Sequence, residues 1–311
     1  MSKLTVSAAP HIHDGASSKN IMLDVVIALL PVSVAAVVIF GMKALAIILT
    51  CIISSVLSEY LFNSITKQKQ TIGDFSAVVT GLLLALNLST NVALWQCVVG
   101  SVFAIVVVKC FFGGLGKNFA NPAITARVFM LLAFSSVAGG ANPVIGAELT
   151  SSATPLELIK NGQELPSMMN MLLGVHGGAI GETCIIALVV GYIYLVVRKV
   201  IKWYVPFSFI ATVFVLSFVS KFDLSYALYE ILSGGLFIGA IFMATDYVTT
   251  PITNKGKVVF AIGCGLITFA VRVFFSYPEG VSFSILCMNL LTPYIEELTH
   301  KHPLGGVENV K

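Results

Sequence analysis

Two kinds of residue in this chain could do chemistry: hydroxyls and amides in short polar or glycine-rich segments, and charges embedded in apolar runs. The first segment is Ser151-Ser152-Ala153-Thr154-Pro155-Leu156-Glu157. Threonine as N-cap, proline at the first helical position and glutamate three residues on form a capping box. The spacing predicts a short helix through Lys160, stopped by Asn161-Gly162. A hydroxyl held there lies beside free backbone N–H groups and the positive end of a helix dipole, which together stabilise a phosphoryl group. The second segment is Gly113-Gly114-Leu115-Gly116-Lys117-Asn118-Phe119-Ala120-Asn121-Pro122-Ala123. Its asparagine-proline step predicts a helix start, and its glycines allow close backbone approach. It lacks the spacing of a nucleotide-binding P-loop. Asp74-Phe75-Ser76-Ala77-Val78-Val79-Thr80-Gly81-Leu82-Leu83 and Met243-Ala244-Thr245-Asp246-Tyr247-Val248-Thr249-Thr250-Pro251 complete the set.

The embedded charges are Asp24, Glu59, Lys109, Arg127, Glu182, Asp246 and Arg272. A charge at membrane depth is costly, so each must find a partner or serve a function. Asp24 and Asp246 are candidates for a cation path, because hard cations prefer oxygen ligands. Arg127 follows the Asn121-Pro122 helix start by about one and a half turns. That places it to pair with Asp246 or Asp74, or to face an electron-rich ring. His11, His13 and His176 show no metal-ligand spacing. The six cysteines form no CxxC pair, so neither a disulfide framework nor a local iron–sulfur motif is signalled. They read as small apolar groups between helices.

The elements that position these residues lie in a membrane. The chain has 311 residues, 57% hydrophobic and 11% charged, with a mean hydropathy of +0.94. Soluble domains carry roughly 25% charged residues, which excludes that class. A net charge of +3 is too small to argue for nucleic acid. Spans of about 20 apolar residues are expected at Ile21–Phe40, Lys43–Phe62, Val92–Phe111, Ala179–Val197, Tyr204–Val219, Val258–Phe275 and Val281–Ile295. Three more, Phe75–Leu88, Ala123–Val137 and Tyr229–Ala244, are short or glycine-interrupted. The expected fold is an all-α polytopic membrane protein of about ten helices.

Met1–Asn20 has no apolar h-region and reads as a retained cytoplasmic tail. Lys43, Lys160, Lys221 and Arg272 then fall on the far side, leaving the other fourteen of the 18 basic residues in the cytoplasm. Thr154 lies outside in that arrangement. Loosely matching segments at 79–87 and 232–240 predict two five-helix repeats of opposite orientation, with sites near the midplane at broken helices. The expected divisions are a tail at 1–20, a first repeat at 21–137, an extracytoplasmic loop at 138–178, a second repeat at 179–298 and a cytoplasmic tail at 299–311.

The four polar segments together resemble the NqrB/RnfD family, membrane subunits of sodium- or proton-translocating electron-transfer complexes. Ser151-Ser152-Ala153-Thr154 is similar to the family's Ser-Gly-Ala-Thr, with Ser152 in place of glycine. The segment ending Asn118-Phe119-Ala120-Asn121-Pro122-Ala123 resembles its Asn-x-x-Asn-Pro-Ala stretch. Met243–Pro251 resembles its Met-Ala-Thr-Asp-Pro-Val-Thr-Ser-Pro segment, with Tyr247 and Thr250 as departures. The resemblance implies FMN bound to Thr154 through a phosphoester, flanked by Ser151 and Ser152, with Asn118, Asn121 and Arg127 as further cofactor-binding residues. It also admits a noncovalent riboflavin between helices. It implies a plasma-membrane protein that relays electrons between ferredoxin and NAD within a larger complex. Its partners would be other membrane and peripheral subunits, a flavin transferase and membrane lipid. A different class also suits inverted repeats with short helices meeting at the midplane: a urea-transporter-like channel or carrier without a flavin.

Overall fold

A computed structural model describes residues 17–134, 143, 153–275 and 280–299. Every regular element among them is a helix. The chain opens with α1 (Ser18–Phe40), whose N-cap Ser17 hydroxyl accepts from the Asn20 N–H at 3.2 Å. Gly41 turns it directly into α2 (Met42–Ile65). After α3 (Ser76–Leu86) comes α4 (Leu94–Val102), which continues as a π-helix from Phe103 to Cys110. α5 (Pro122–Ala133) follows, and the connecting region carries the short helices α6 (Pro155–Asn161) and α7 (Met168–Leu173). The second part consists of α8 (Ile185–Val197), α9 (Tyr204–Lys221), α10 (Leu224–Leu232), α11 (Leu236–Ile238, continuing as a π-helix through Met243), α12 (Asn254–Phe274) and α13 (Val281–Thr299).

α1, α2, α9 and α12 are each long and apolar enough to cross a membrane, and α10 with α11 adds a fifth crossing if the bent pair is one span. Their outward faces are apolar: Leu30, Val34, Ile53, Phe207 and Val215 are all more than half exposed. Such a surface on helices of that length belongs in lipid. The chain is a multi-pass membrane protein.

The shorter helices depart from the expected spans for identifiable reasons. α8 starts at Ile185 rather than Ala179, because the preceding residues serve another helix. There the N–H groups of Ile180 and Gly181 donate to the Leu88 and Leu86 carbonyls at 2.9 and 2.7 Å, satisfying the end of α3. α3 itself has 11 residues, all buried except Val78. At 1.5 Å per residue it is about 16 Å long, half a hydrocarbon core of ~30 Å. A helix apolar on every side belongs in the protein interior, and α3 packs on α2, α1 and α5.

The expected span Tyr229–Ala244 is also not one helix. α10 and α11 meet at a 63° bend, where Gly234 and Gly235 take φ of +67° and +66°. These angles suit glycine because it has no Cβ. The ends of the two discontinuous elements come together, with Asn87 Nδ2 lying 3.8 Å from Met243 Sδ. α1 packs on α8 and joins the two parts of the chain. A Cβ at Gly191 would lie 2.4 Å from the Ala28 carbonyl oxygen, so that crossing requires glycine.

Candidate functional site

Three of the four polar segments converge. α3 supplies Ser76 and Thr80, the start of α5 supplies Asn118 and Asn121, and the turn after α11 supplies Thr245 to Val248. Together with α1 and Lys109 they line one cleft between the helices. Asn121 is built in as the α5 N-cap: its Oδ1 accepts from the Ala123 and Ile124 N–H groups at 3.0 and 3.3 Å. Its Nδ2 donates to Asp246 Oδ2 at 3.4 Å, bridging the segments. Asn289 on α13 closes the junction. Oriented to satisfy both neighbours, its amide accepts from the Asn121 N–H at 3.1 Å and donates to the Thr249 carbonyl at 3.2 Å.

Asp246 is held by its own turn, accepting from the Val248 N–H at 3.3 Å and the Thr249 hydroxyl at 3.0 Å. Burial pushes its carboxyl above the usual carboxylate range, against those two hydrogen bonds. Asn118 Oδ1 is buried without a partner in the cleft wall. An orphaned acceptor of this kind costs roughly 1–3 kcal/mol, a cost that a ligand N–H would offset.

Arg127 is 3% exposed and donates to Asn87 Oδ1 at 3.2 Å. It thus reaches the C-cap of α3. Asp74 accepts from the Ser76 N–H at 2.8 Å. Asp24 is clamped by Arg198: Nε and Nη2 each donate to one carboxylate oxygen at 3.2 Å, and Tyr194 adds a bond at 2.9 Å.

Thr154 stands apart from this cleft. It is the N-cap of α6, with its N–H donating to Glu157 Oε2 at 3.0 Å and its hydroxyl accepting from the Glu157 N–H at 3.4 Å. The capping box is therefore formed, and the threonine is only half-buried. Ser151 and Ser152 lie outside the described residues. α6 is anchored by Leu156, buried against the Gly234 bend, and by Lys160, whose Nζ donates to the Phe275 carbonyl at 2.8 Å.

Two buried ion pairs were not legible as pairs. Lys109 Nζ lies 2.9 Å from Glu59 Oε2 and donates to Ser76 Oγ at 2.6 Å. Arg272 Nη1 lies 3.0 Å from Glu230 Oε2, and its Nη2 donates to the Ser233 carbonyl at 2.9 Å. Lys109 reaches the start of α3, and Arg272 reaches the carbonyls at the C-terminal end of α10. The signal available in sequence was the rule that an intramembrane charge seeks an opposite one; it does not say which. No group of metal-ligating side chains occurs among the described residues.

A cleft lined by apolar side chains and a few polar ones, at the ends of discontinuous helices, is the arrangement in which multi-pass membrane proteins place their sites. A family model described as the NQR2, RnfD, RnfE family matches residues 5–305, and the chain belongs to that family. It is 44% identical to the D subunit of the Na(+)-translocating ferredoxin:NAD(+) oxidoreductase complex of Acetobacterium woodii, covering 99% of this chain and 97% of the other. It is 37% identical to the proton-translocating counterpart of Clostridium ljungdahlii, covering 97% and 96%. The D subunit of the ion-translocating oxidoreductase complex of Methanosarcina acetivorans is 32% identical over 99% of this chain and 100% of that one.

Proposed function

We propose that this chain is the membrane electron-relay subunit of an ion-translocating ferredoxin:NAD oxidoreductase. In this reading it carries FMN as a phosphoester on Thr154 and a second, noncovalent flavin, riboflavin, in the cleft. The observation that carries the reading is the convergence of three separated polar segments on one cleft, with Asn118 Oδ1 left without a partner there. A flavin ring presents an imide N–H between two carbonyl oxygens, a pattern complementary to asparagine side chains.

The flavins supply the redox chemistry, and the chain supplies position, electrostatics and exclusion of water. Asn118 and Asn121 orient the ring edge. Arg127 holds the end of α3 against α5 through Asn87, and neither side chain lines the cleft. At Thr154 the hydroxyl engages only a 3.4 Å bond from a backbone N–H, so phosphorylation breaks no buried contact. The Thr154 N–H, which donates to Glu157 Oε2, would be the nearest backbone donor to a phosphate on this residue, and Ser151 and Ser152 adjoin it in the sequence. Attachment is the work of a separate flavin transferase on the outer face of the plasma membrane, the termini lying in the cytoplasm. Of the two candidates for the ion path, Asp246 is the stronger. It has no cationic partner among the described residues, whereas Asp24 is neutralised by Arg198.

The test is in-gel flavin fluorescence of the denatured protein expressed in its native membrane, with Thr154→Ala alongside. A fluorescent band in the wild type and none in the variant is expected. A dark wild type with the transferase present, or a fluorescent variant, rejects the attachment.

A further inference from the structure

Lys109 is the one basic side chain among the described residues that line the cofactor cleft. It is 2% exposed, and the carboxylate of Glu59, 2.9 Å away, compensates its charge. From Lys109 a hydrogen-bonded chain leads out of the protein. Nζ donates to Ser76 Oγ at 2.6 Å, and Ser76 Oγ donates in turn to Asp74 Oδ1. Ser76 is buried and, like Lys109, lines the cleft. Asp74 does not line it; it is half-buried and follows a turn in which residues 64–71 are all exposed. Three side chains thus join the cleft to water, and each of them carries or accepts an exchangeable proton.

The surroundings of the chain suit a proton rather than a metal cation. Both oxygens of Glu59 are answered, Oε1 by the Thr71 hydroxyl and Oε2 by Lys109, so the carboxylate offers no open set of oxygens to a hard cation. Glu59 and Ser76 engage two of the three ammonium N–H bonds, which leaves the third for an acceptor in the cleft. Asp246 is the other charged group in the cleft wall. It accepts from Asn121, Val248 and Thr249 and heads no comparable chain among the described residues.

We propose that Asp74, Ser76 and Lys109 form a proton inlet that supplies the cleft as electrons arrive there. The proposal rests on the noncovalent flavin of the preceding section and names the source of its protons. An electron entering a buried cleft brings a negative charge that is costly without compensation, and a proton delivered with it removes that cost. Lys109 Nζ gives one proton to a ring nitrogen of the reduced cofactor: an N–H bond breaks on the lysine and one forms on the ring. The neutral amine regains a proton from the Ser76 hydroxyl, which takes one from the Asp74 carboxyl, itself protonated from water. In total, one electron from the donor of the relay and one proton from water enter the cleft, and the three side chains return to their starting state.

The test is stopped-flow reduction of the full chain by dithionite, with Thr154→Ala present throughout so that only the noncovalent flavin reports, and with rates taken per bound flavin. Asp74→Asn keeps an acceptor for the Ser76 N–H and cannot carry a proton; Ser76→Ala breaks the middle link and leaves the Glu59–Lys109 pair in place. Each should slow reduction about 100-fold, the lower end of what a positioned acid contributes. Formate, a small proton carrier, should restore the rate, and Asp74→Glu, which retains a carboxyl, should keep most of it. Unchanged rates in both Asp74→Asn and Ser76→Ala overturn the inlet. So does slowing that formate does not relieve, the mark of a merely structural change. A chain without acid-extractable flavin rejects the proposed occupant of the cleft and the inlet with it, whereas a flavin-loaded chain with unaffected variants rejects the inlet alone.

Discussion

In the proposed function Asn118 and Thr154 serve different flavins, and single substitutions separate them. Asn118 offers a buried acceptor with no partner of its own, so removing it costs the free protein little and costs a bound ring a hydrogen bond. Asn118→Leu should lower the content of noncovalent flavin, measured by extraction into acid, by about tenfold, while the fluorescent band from Thr154 persists. That loss is the ~1.4 kcal/mol equivalent of one well-placed hydrogen bond. Unchanged extractable flavin would remove Asn118 from the site. The helix caps were legible from their segments, because turn and cap chemistry is written locally: Asn121 caps α5 and Thr154 caps α6 as the spacing predicted. Their partners were not legible. Asn121 meets Asp246 across 125 positions and Arg127 meets Asn87 across 40, and no local rule selects such pairs.

Among the elements, the long helices followed from apolar length alone, and the discontinuous ones did not. α3 and the α10–α11 bend are held by partners distant in sequence, the 180–181 backbone in one case and Arg272 in the other. The Glu59–Lys109 pair does similar work for the start of α3, and its side chains are 1% and 2% exposed. Breaking such a buried pair leaves a bare charge and costs ~3–5 kcal/mol, whereas replacing both members by apolar groups of similar size is often neutral. Glu59→Leu and Lys109→Met should therefore each reduce thermal stability in detergent sharply, and the double variant should recover most of the loss. A double variant as unstable as the sum of the singles would show that the pair acts through other contacts. Lys109 also lines the cleft, so the double variant, once folded, reports whether a cation at that wall matters to flavin retention.

At the scale of the molecule, two of the buried cations each tie a long-range partner to a discontinuous helix. Lys109, near the end of the π-helix after α4, reaches the start of α3; Arg272, near the end of α12, reaches the C-terminal carbonyls of α10 at its bend into α11. A discontinuous helix entered past a left-handed residue recurs as well, at Phe75 with φ of +62° and at Gly235 with φ of +66°. Two repeats of opposite orientation, which the sequence predicts, would put one cation pair near each face of the membrane. It yields a test of topology that needs no flavin. On the orientation that the sequence predicts, Lys160 shares a face with Thr154, and Lys69 and Lys255 lie on the face rich in lysine. In intact cells of a cysteine-free background, Lys160→Cys should react with a membrane-impermeant maleimide, whereas Lys69→Cys and Lys255→Cys should react only after the membrane is opened. Equal labelling of all three would mean that they share one face. The second half would then not be inverted, and Thr154 would lie on the side where lysines are retained.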